Sequence, residues 1–190
     1  MNKIKFLFYL ISFCTIQSYA QQKEDVQLNF KNAIEYSLES SSNSVNPIIK
    51  KINTLLDDGE IDSLSLEEYH NCKATIQANK KFVIGLEEVD DNINLKLKTE
   101  KYLESAEKFV DNFILPVIKH LNVPNQAEVF DSEKLTKGLL AIEVLVNKTS
   151  ELNNSLEEFC LKYELSKNMS DYEREEYTGK IERLKSKLEN

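Results

Sequence analysis

The chain has 190 residues, with 24 Lys and Arg against 32 Asp and Glu and a formal net charge of −8. That acidity lacks the basic footprint of a nucleic-acid binder and the cationic face that docks electrostatically on anionic lipid. Four Gly, three Pro and no Trp supply too little turn chemistry for a β-sandwich or an α/β domain of this size, so an all-α fold is expected.

The first twenty residues read as a secretory signal peptide. Lys3 and Lys5 form a short basic region, Phe6 to Phe13 form an apolar core, and Ser18-Tyr19-Ala20 precedes Gln21 with small residues flanking the tyrosine. The core is well short of the ~20 residues of a membrane-spanning helix, which disfavours a retained anchor. A lipoprotein would use Cys14, but bulky Phe13 stands where a small residue is wanted. Cleavage between Ala20 and Gln21 is therefore expected, with export to the periplasm, the cell surface or the medium. The leader takes Lys3 and Lys5 with it and no acidic residue, so the net charge of the remainder falls from −8 to −10. No second apolar stretch approaches spanning length, so no membrane insertion is expected after the leader is removed.

The ~170 residues that follow suit a single domain, 21–168, with a charged tail, 169–190. The first helix is expected from about Glu24 to Leu56. Phe30, Ala33, Ile34 and Leu38 form one apolar stripe, and Ile48, Ile49, Ile52, Leu55 and Leu56 form another. Asn46 before Pro47 is a cap-like pair, so a kink or a break falls there, and a kinked helix is expected. Asp57-Asp58-Gly59 ends it. A second helix is expected from Leu66 to Asn92, with Tyr69, Cys72, Ile76, Val83, Leu86 and Val89 inward. Ser65 and Glu68 match a capping box. The third should span Leu95 to Leu121 and bend at Pro116. The fourth should run from Asp131 or Ser132 to about Ser166, its near-heptad taking Leu135, Leu139, Ile142, Val146, Thr149, Leu152, Leu156, Phe159 and Tyr163 inward. Short connections favour an up-down-up-down four-helix bundle. Beyond Asn168, Ile181, Leu184 and Leu188 share one face of a short charged helix, which alone would be marginal.

Export makes a disulfide between Cys72 and Cys160 chemically accessible. In that topology the two cysteines lie near opposite ends of helices running the same way, roughly 30 Å apart along the axis. Two unpaired thiols and no Cys72–Cys160 disulfide are expected.

Candidate chemistry is sparse. Glu67-x-x-His70 puts a carboxylate and an imidazole on one helical face, but a di-iron bundle needs that motif twice. His120 has Val117 three residues before it, so Glu67 and His70 are expected to be a surface pair. No nucleophile elbow, Gly-rich phosphate loop or calcium loop occurs; catalytic and cofactor-binding residues are expected to be absent. Asp62-Ser63-Leu64 resembles the acceptor of bacterial O-glycosylation on serine, with Ser63 as the modified residue, and equally serves a plain turn. Asn79 falls on the Cys72-Ile76-Val83 stripe, where a buried amide needs partners.

From about Asn29 to Leu165 the chain resembles a family of small helical envelope proteins of Bacteroidetes- and Leptospira-type bacteria. Asn32 and Tyr36 in the first helix carry the resemblance, with Ile48 to Leu56, the acidic turn, the aromatic third helix and the closing Phe159-Cys160-Leu161-Lys162-Tyr163. Members often carry a lipid anchor, which this chain lacks a good site for, and the family has no assigned activity. The resemblance implies a helical fold and an envelope location. Two functions are weighed: a non-enzymatic module that contacts a protein or small ligand, and a ligand- or metal-binding bundle, perhaps enzymatic, with polar residues projecting inward.

Overall fold

A computed structural model describes residues 2–58, 64–121 and 132–166, with side chains described from Val26 onward apart from 55–58, 132 and 135. The expected leader and its Ala20–Gln21 junction, Ser63 and the tail 169–190 thus lie wholly or in their side chains outside the described residues. Every described element is helical: α1 (Asn2–Asp58), α2 (Leu66–Ile84), α3 (Leu95–Phe109), a π-turn (Val110–Ile114), α4 (Leu115–Leu121) and α5 (Ser132–Lys162). The π-turn joins α3 to α4 in one unbroken rod, so four helical rods make up the fold. Among the described residues no helix is long and apolar enough to cross a membrane.

α1 begins well before the expected Glu24 and passes through Pro47 without a break. In and beside its serine-rich stretch the hydroxyls bond the helix's own carbonyls, which satisfies them without breaking the helix. Ser37 Oγ donates to Ala33 O at 2.9 Å, and Ser44 Oγ donates to Ser41 O at 2.7 Å.

α2 starts as expected. The Ser65 hydroxyl accepts from the Glu68 amide at 3.2 Å, and the Glu68 carboxylate accepts from the Ser65 amide at 2.9 Å. It ends eight residues short of the expected Asn92, with Gly85 as its cap. The acids and amides of residues 88–94 compete with the helix for backbone amides. Glu88 Oε1 accepts from the Val89 amide at 3.1 Å, Glu88 Oε2 from the Lys96 amide at 2.9 Å, and Asp90 Oδ1 from the Asn92 amide at 3.1 Å. Asn94 takes a left-handed conformation, φ 54°, and makes no side-chain cap on α3, leaving Glu88 to satisfy that helix start from across the loop. Leu86 and Val89 still pack inward, as part of the connection and not of the helix.

Before Pro116 the rod carries a π-turn. Leu115 N–H reaches back five residues to Val110 O, and the proline ring then sits in the first turn of α4. α5 lies against this region through its smallest residues. A Cβ placed on Gly138 would lie 3.2 Å from Phe113 Cδ2 and 3.3 Å from Asn112 O. Gly138 and Ala141 are buried, whereas Leu139 and Val146 are 55% and 61% exposed. The near-heptad is therefore wrong at Leu139 and Val146 but right at Ile142, which packs against the core: close approach selects small side chains at the Gly138 contact. From Leu152 to Phe159 the expected stripe is the buried one. α5 ends at Lys162, before the expected Ser166. Glu164 is left-handed, φ 55°, and its amide donates to Leu161 O at 3.4 Å while Leu165 N–H donates to Cys160 O at 2.9 Å. That is a Schellman stop built on a residue other than glycine.

The apolar interior falls into two clusters. One gathers Ile48, Ile52, Leu64, Tyr69, Cys72, Ile76, Phe109, Ile114, Ile118 and Ala141. The other gathers Phe30, Ile34, Val83, Ile93, Leu95, Leu103, Leu152, Leu156, Phe159 and Cys160. Cys72 and Cys160 are both buried, one in each cluster, and are not joined by a disulfide.

Gly138→Val should lower the unfolding free energy by about 1–3 kcal/mol, because the added methyls meet a backbone carbonyl and a packed ring. Urea denaturation measures this, and an unchanged midpoint would contradict the close approach. Glu164→Gly should raise stability by about 1 kcal/mol by relieving the left-handed residue, read in the same assay.

Candidate functional site

The first turns of α2 hold the residues singled out for metal chemistry. Glu67 and His70 are both exposed there. The His70 ring stands edge-on to Tyr69, 5.0 Å between centroids. His120 is exposed in the last turn of α4. Among the described residues, no three His, Cys, Asp or Glu side chains converge closely enough to hold an ion.

What does converge beside His70 is a set the sequence did not announce. Tyr69 and Lys73, one turn apart on α2, both reach Asp111 in the π-turn. Lys73 Nζ donates to both Asp111 carboxylate oxygens at 2.8 Å, and Tyr69 Oη donates to Oδ1 at 2.8 Å. Lys73 Nζ also lies 5.9 Å from the Tyr69 ring centroid. Burial, reinforced by the carboxylate, pushes the Tyr69 phenol above its ordinary range. The hydrogen bond to Asp111 raises the Lys73 ammonium. At neutral pH the phenol keeps its proton and the lysine its charge, so neither is poised as a base or nucleophile. With Lys73 and Asp111 both partly exposed, the ion pair stabilises by about 0.2–1 kcal/mol. The neighbouring Glu68 carboxylate is held below its usual range, first by Lys51 Nζ at 2.6 Å and then by the Ser65 amide.

A second cluster ties the α2–α3 connection to the end of α5. The buried Asp90 carboxylate accepts from Lys162 Nζ and, at 2.9 Å, from Tyr163 Oη. The Lys162 hydrogen bond leads, joined by Tyr163 and the Asn92 amide, in depressing Asp90 from 3.8 to about 2. Lys162 is raised in return by Asp90. Burial and the same carboxylate raise Tyr163.

Between the apolar clusters lies a third polar contact. Asn79 is buried and donates from Nδ2 to Ser41 Oγ at 2.9 Å. Ser44 Oγ lies 3.6 Å from Cys72 Sγ, and burial pushes the Cys72 thiol up, away from the reactive thiolate. Asn79 thus links two helices and joins neither histidine.

Sequence reasoning also missed α1's own polar seam. Lys31 is 0% exposed. Its ammonium lies 3.1 Å from Glu35 Oε2, near enough for an ion pair but out of line for a hydrogen bond. The buried Asn32 Oδ1 also has no hydrogen-bond partner. A lysine on the flank of an apolar stripe gives no signal of burial, because long side chains ordinarily reach water from such positions. The Asp90-to-Asn94 run did carry one: clustered Asp and Asn mark a loop.

Comparison of the chain with protein-family models, with curated proteins and with solved structures finds no match to any of them.

Asp90 gives a stability signature. Its folded-state pKa lies below the unfolded one, so the folded chain binds fewer protons between about pH 4 and pH 2, and its contribution is lost as pH falls through that window. The urea midpoint should drop more steeply there for the parent chain than for Asp90→Asn, which should be weaker at pH 7 and flatter toward pH 2. Parallel profiles would contradict the Asp90–Lys162 staple.

Proposed function

We propose that this chain is an exported envelope protein whose helices form an up-down-up-down bundle, bent at Pro47, and that it works as a non-enzymatic module contacting a protein or small ligand. The single observation that carries this reading is the resting chemistry of its polar clusters. Tyr69, Lys73, Glu68, Cys72, Asp90 and Lys162 are each shifted toward the ionisation they already hold at neutral pH. Catalytic groups are tuned the opposite way, toward a pKa near the working pH. Those clusters tie helices together and supply no reactive atom.

The membership of the two cores supports the bundle. One cluster takes the later part of α1, the start of α2, the end of the α3–α4 rod and the first half of α5; the other takes the remaining halves. Helices alternating in direction distribute their residues in that way. Successive contacts of Lys51 with Glu68, Ser44 with Cys72 and Ser41 with Asn79 fit the first pair. Export rests on Lys3, Lys5, the Phe6–Phe13 core and Ser18-Tyr19-Ala20, and the envelope family that the sequence resembles has the same address.

Protein purified from the envelope of its own host, analysed by intact and native mass spectrometry with metal analysis, tests the reading. The expected result is a mass beginning at Gln21, no stoichiometric metal, and a partner or ligand retained on the folded chain. A mass including residues 1–20 would sink cleavage after Ala20, and a lipid on Cys14 would replace that cleavage with a lipid anchor. A bound metal ion would favour the metal-binding alternative. An added hexose series on the peptide containing Ser63 would establish that residue as a glycosylation site.

A further inference from the structure

α3 carries three carboxylates, and each is held by another lysine: Glu100 lies 3.9 Å from Lys96, Glu104 2.8 Å from Lys108 and Glu107 3.4 Å from Lys80. Lys98 and Lys101, one turn apart on the same helix, are left over. Among the described residues no carboxylate makes an ion pair with either. A chain with 32 acidic residues against 24 basic ones has no shortage of carboxylates, so the omission belongs to this place.

Lys98 is nonetheless held still. Its Nζ donates to Ser155 Oγ of α5 at 2.7 Å. The buried Ser155 hydroxyl sends its own proton to Glu151 O at 2.9 Å, which leaves its oxygen as the acceptor. An ammonium has three donors, so two remain, on a half-buried side chain at the seam where α3 packs along α5. Lys101 stands one turn further along α3, exposed. Across the seam, one turn before Ser155, Glu151 accepts from Lys148 Nζ at 2.7 Å. That bond, with the charges of Lys148, Lys101 and Lys98, holds the Glu151 carboxyl below its usual range. Three ammoniums thus gather round one half-exposed carboxylate, a local charge of +2 in a chain whose net charge is −8.

We propose that the α3–α5 seam at Lys98, Lys101 and Ser155 binds a phosphate dianion, free or as the phosphate of a small organic phosphomonoester. The inference deepens the small-ligand form of the proposed module and rests on it. The charge matches, because a dianion neutralises what Glu151 leaves over, whereas a second carboxylate would neutralise half of it. The donors match, because lysine ammoniums are point-charge partners for phosphate oxygens. Ser155 fixes one of them beforehand, which lowers the entropy lost on binding. Glu151 sits beside the anion and opposes it, so its neutralisation both removes a like charge and releases Lys148.

The test titrates the intact chain with sodium phosphate at about pH 8, where phosphate is chiefly the dianion, at ionic strength held constant with chloride. Amide NMR shifts of residues 97–102 and 148–156 should move and saturate. Lys98→Met with Lys101→Met should weaken the affinity on the order of tenfold or more, and Glu151→Gln should tighten it several-fold. Lys101→Met alone removes an exposed charge, keeps the Ser155 bond, and should weaken binding while leaving the urea midpoint near the parent's. Shifts that chloride reproduces overturn the proposal, and so does an affinity unchanged in Lys101→Met or in Glu151→Gln. Vesicles of phosphatidylcholine and phosphatidic acid present the same phosphate on a surface. Sedimentation with them that needs Lys98 and Lys101, without saturation by free phosphate, overturns the small-ligand assignment. A chain that ignores phosphate yet keeps a partner from its host envelope ends this site and leaves the module reading standing.

Discussion

Pro116 has no amide proton, and much of one end of the molecule follows from that. In an uninterrupted α-helix its nitrogen would meet Asn112 O, and the ring would collide with that carbonyl. The π-turn over Val110–Ile114 resolves the collision by widening the preceding turn by one residue. The widened turn carries Asp111, which accepts from Tyr69 and Lys73 of α2. It also carries Asn112, whose carbonyl, given no partner by the proline, is approached by Gly138 of α5. One missing donor thus sets what α2 and α5 can place against the rod. Glycine at 138 and alanine at 141 are the complement of that distortion, and the exposure of Leu139 and Val146 is its consequence.

The opposite end is organised by carboxylates acting on backbone. Asn94, left-handed, cannot cap α3, and Glu88 accepts from Lys96 N–H in its place. Asp90 shapes its own turn through the Asn92 amide and holds Lys162 and Tyr163 of α5 with the other oxygen. Helix starts and loop amides left unsatisfied in a buried place would each cost about 1–3 kcal/mol. A connection rich in acid and amide side chains satisfies them without lengthening α2, which is why that helix stops at Ile84.

Most of the fold was legible where periodicity and capping agree. The Ser65–Glu68 box placed the start of α2, Asp57-Asp58 placed the end of α1, and Leu95 and Leu121 bounded the third rod to the residue. Periodicity misled where it counts only large apolar residues. α5 offers Leu139, Leu140, Ile142, Val144, Leu145 and Val146 within eight positions, a run apolar on nearly every face, so a heptad could be drawn through it in more than one register. The contact chose Gly138 and Ala141, and that choice depends on a backbone shape in another helix. The site residues fared likewise. Glu67 and His70 had the right spacing but lacked further ligands, a matter of tertiary neighbours. Asp111, Asp90 and Lys31 owe their importance to partners 38 or more positions away or to enclosure, neither of which a local pattern encodes.

The buried contact between Ser41 and Asn79 sits between the two apolar clusters, with Leu38 and Val83 on one side and Val45 and Ile76 on the other. A pair of apolar side chains there would fuse the clusters into one core and would hold α1 to α2 at least as firmly, since a neutral hydrogen bond adds only about 1 kcal/mol net. Its value lies in register. Sliding α1 along α2 by one turn, about 5.4 Å, would replace one branched aliphatic contact with another at modest cost. The same slide would part the amide from the hydroxyl and bury both without partners, at about 1–3 kcal/mol each. The polar pair therefore discriminates between alignments that the aliphatic clusters treat as near equals. A chain with so few turn residues, whose helices are long and repetitive in composition, depends on such a marker more than a sheet-containing domain would.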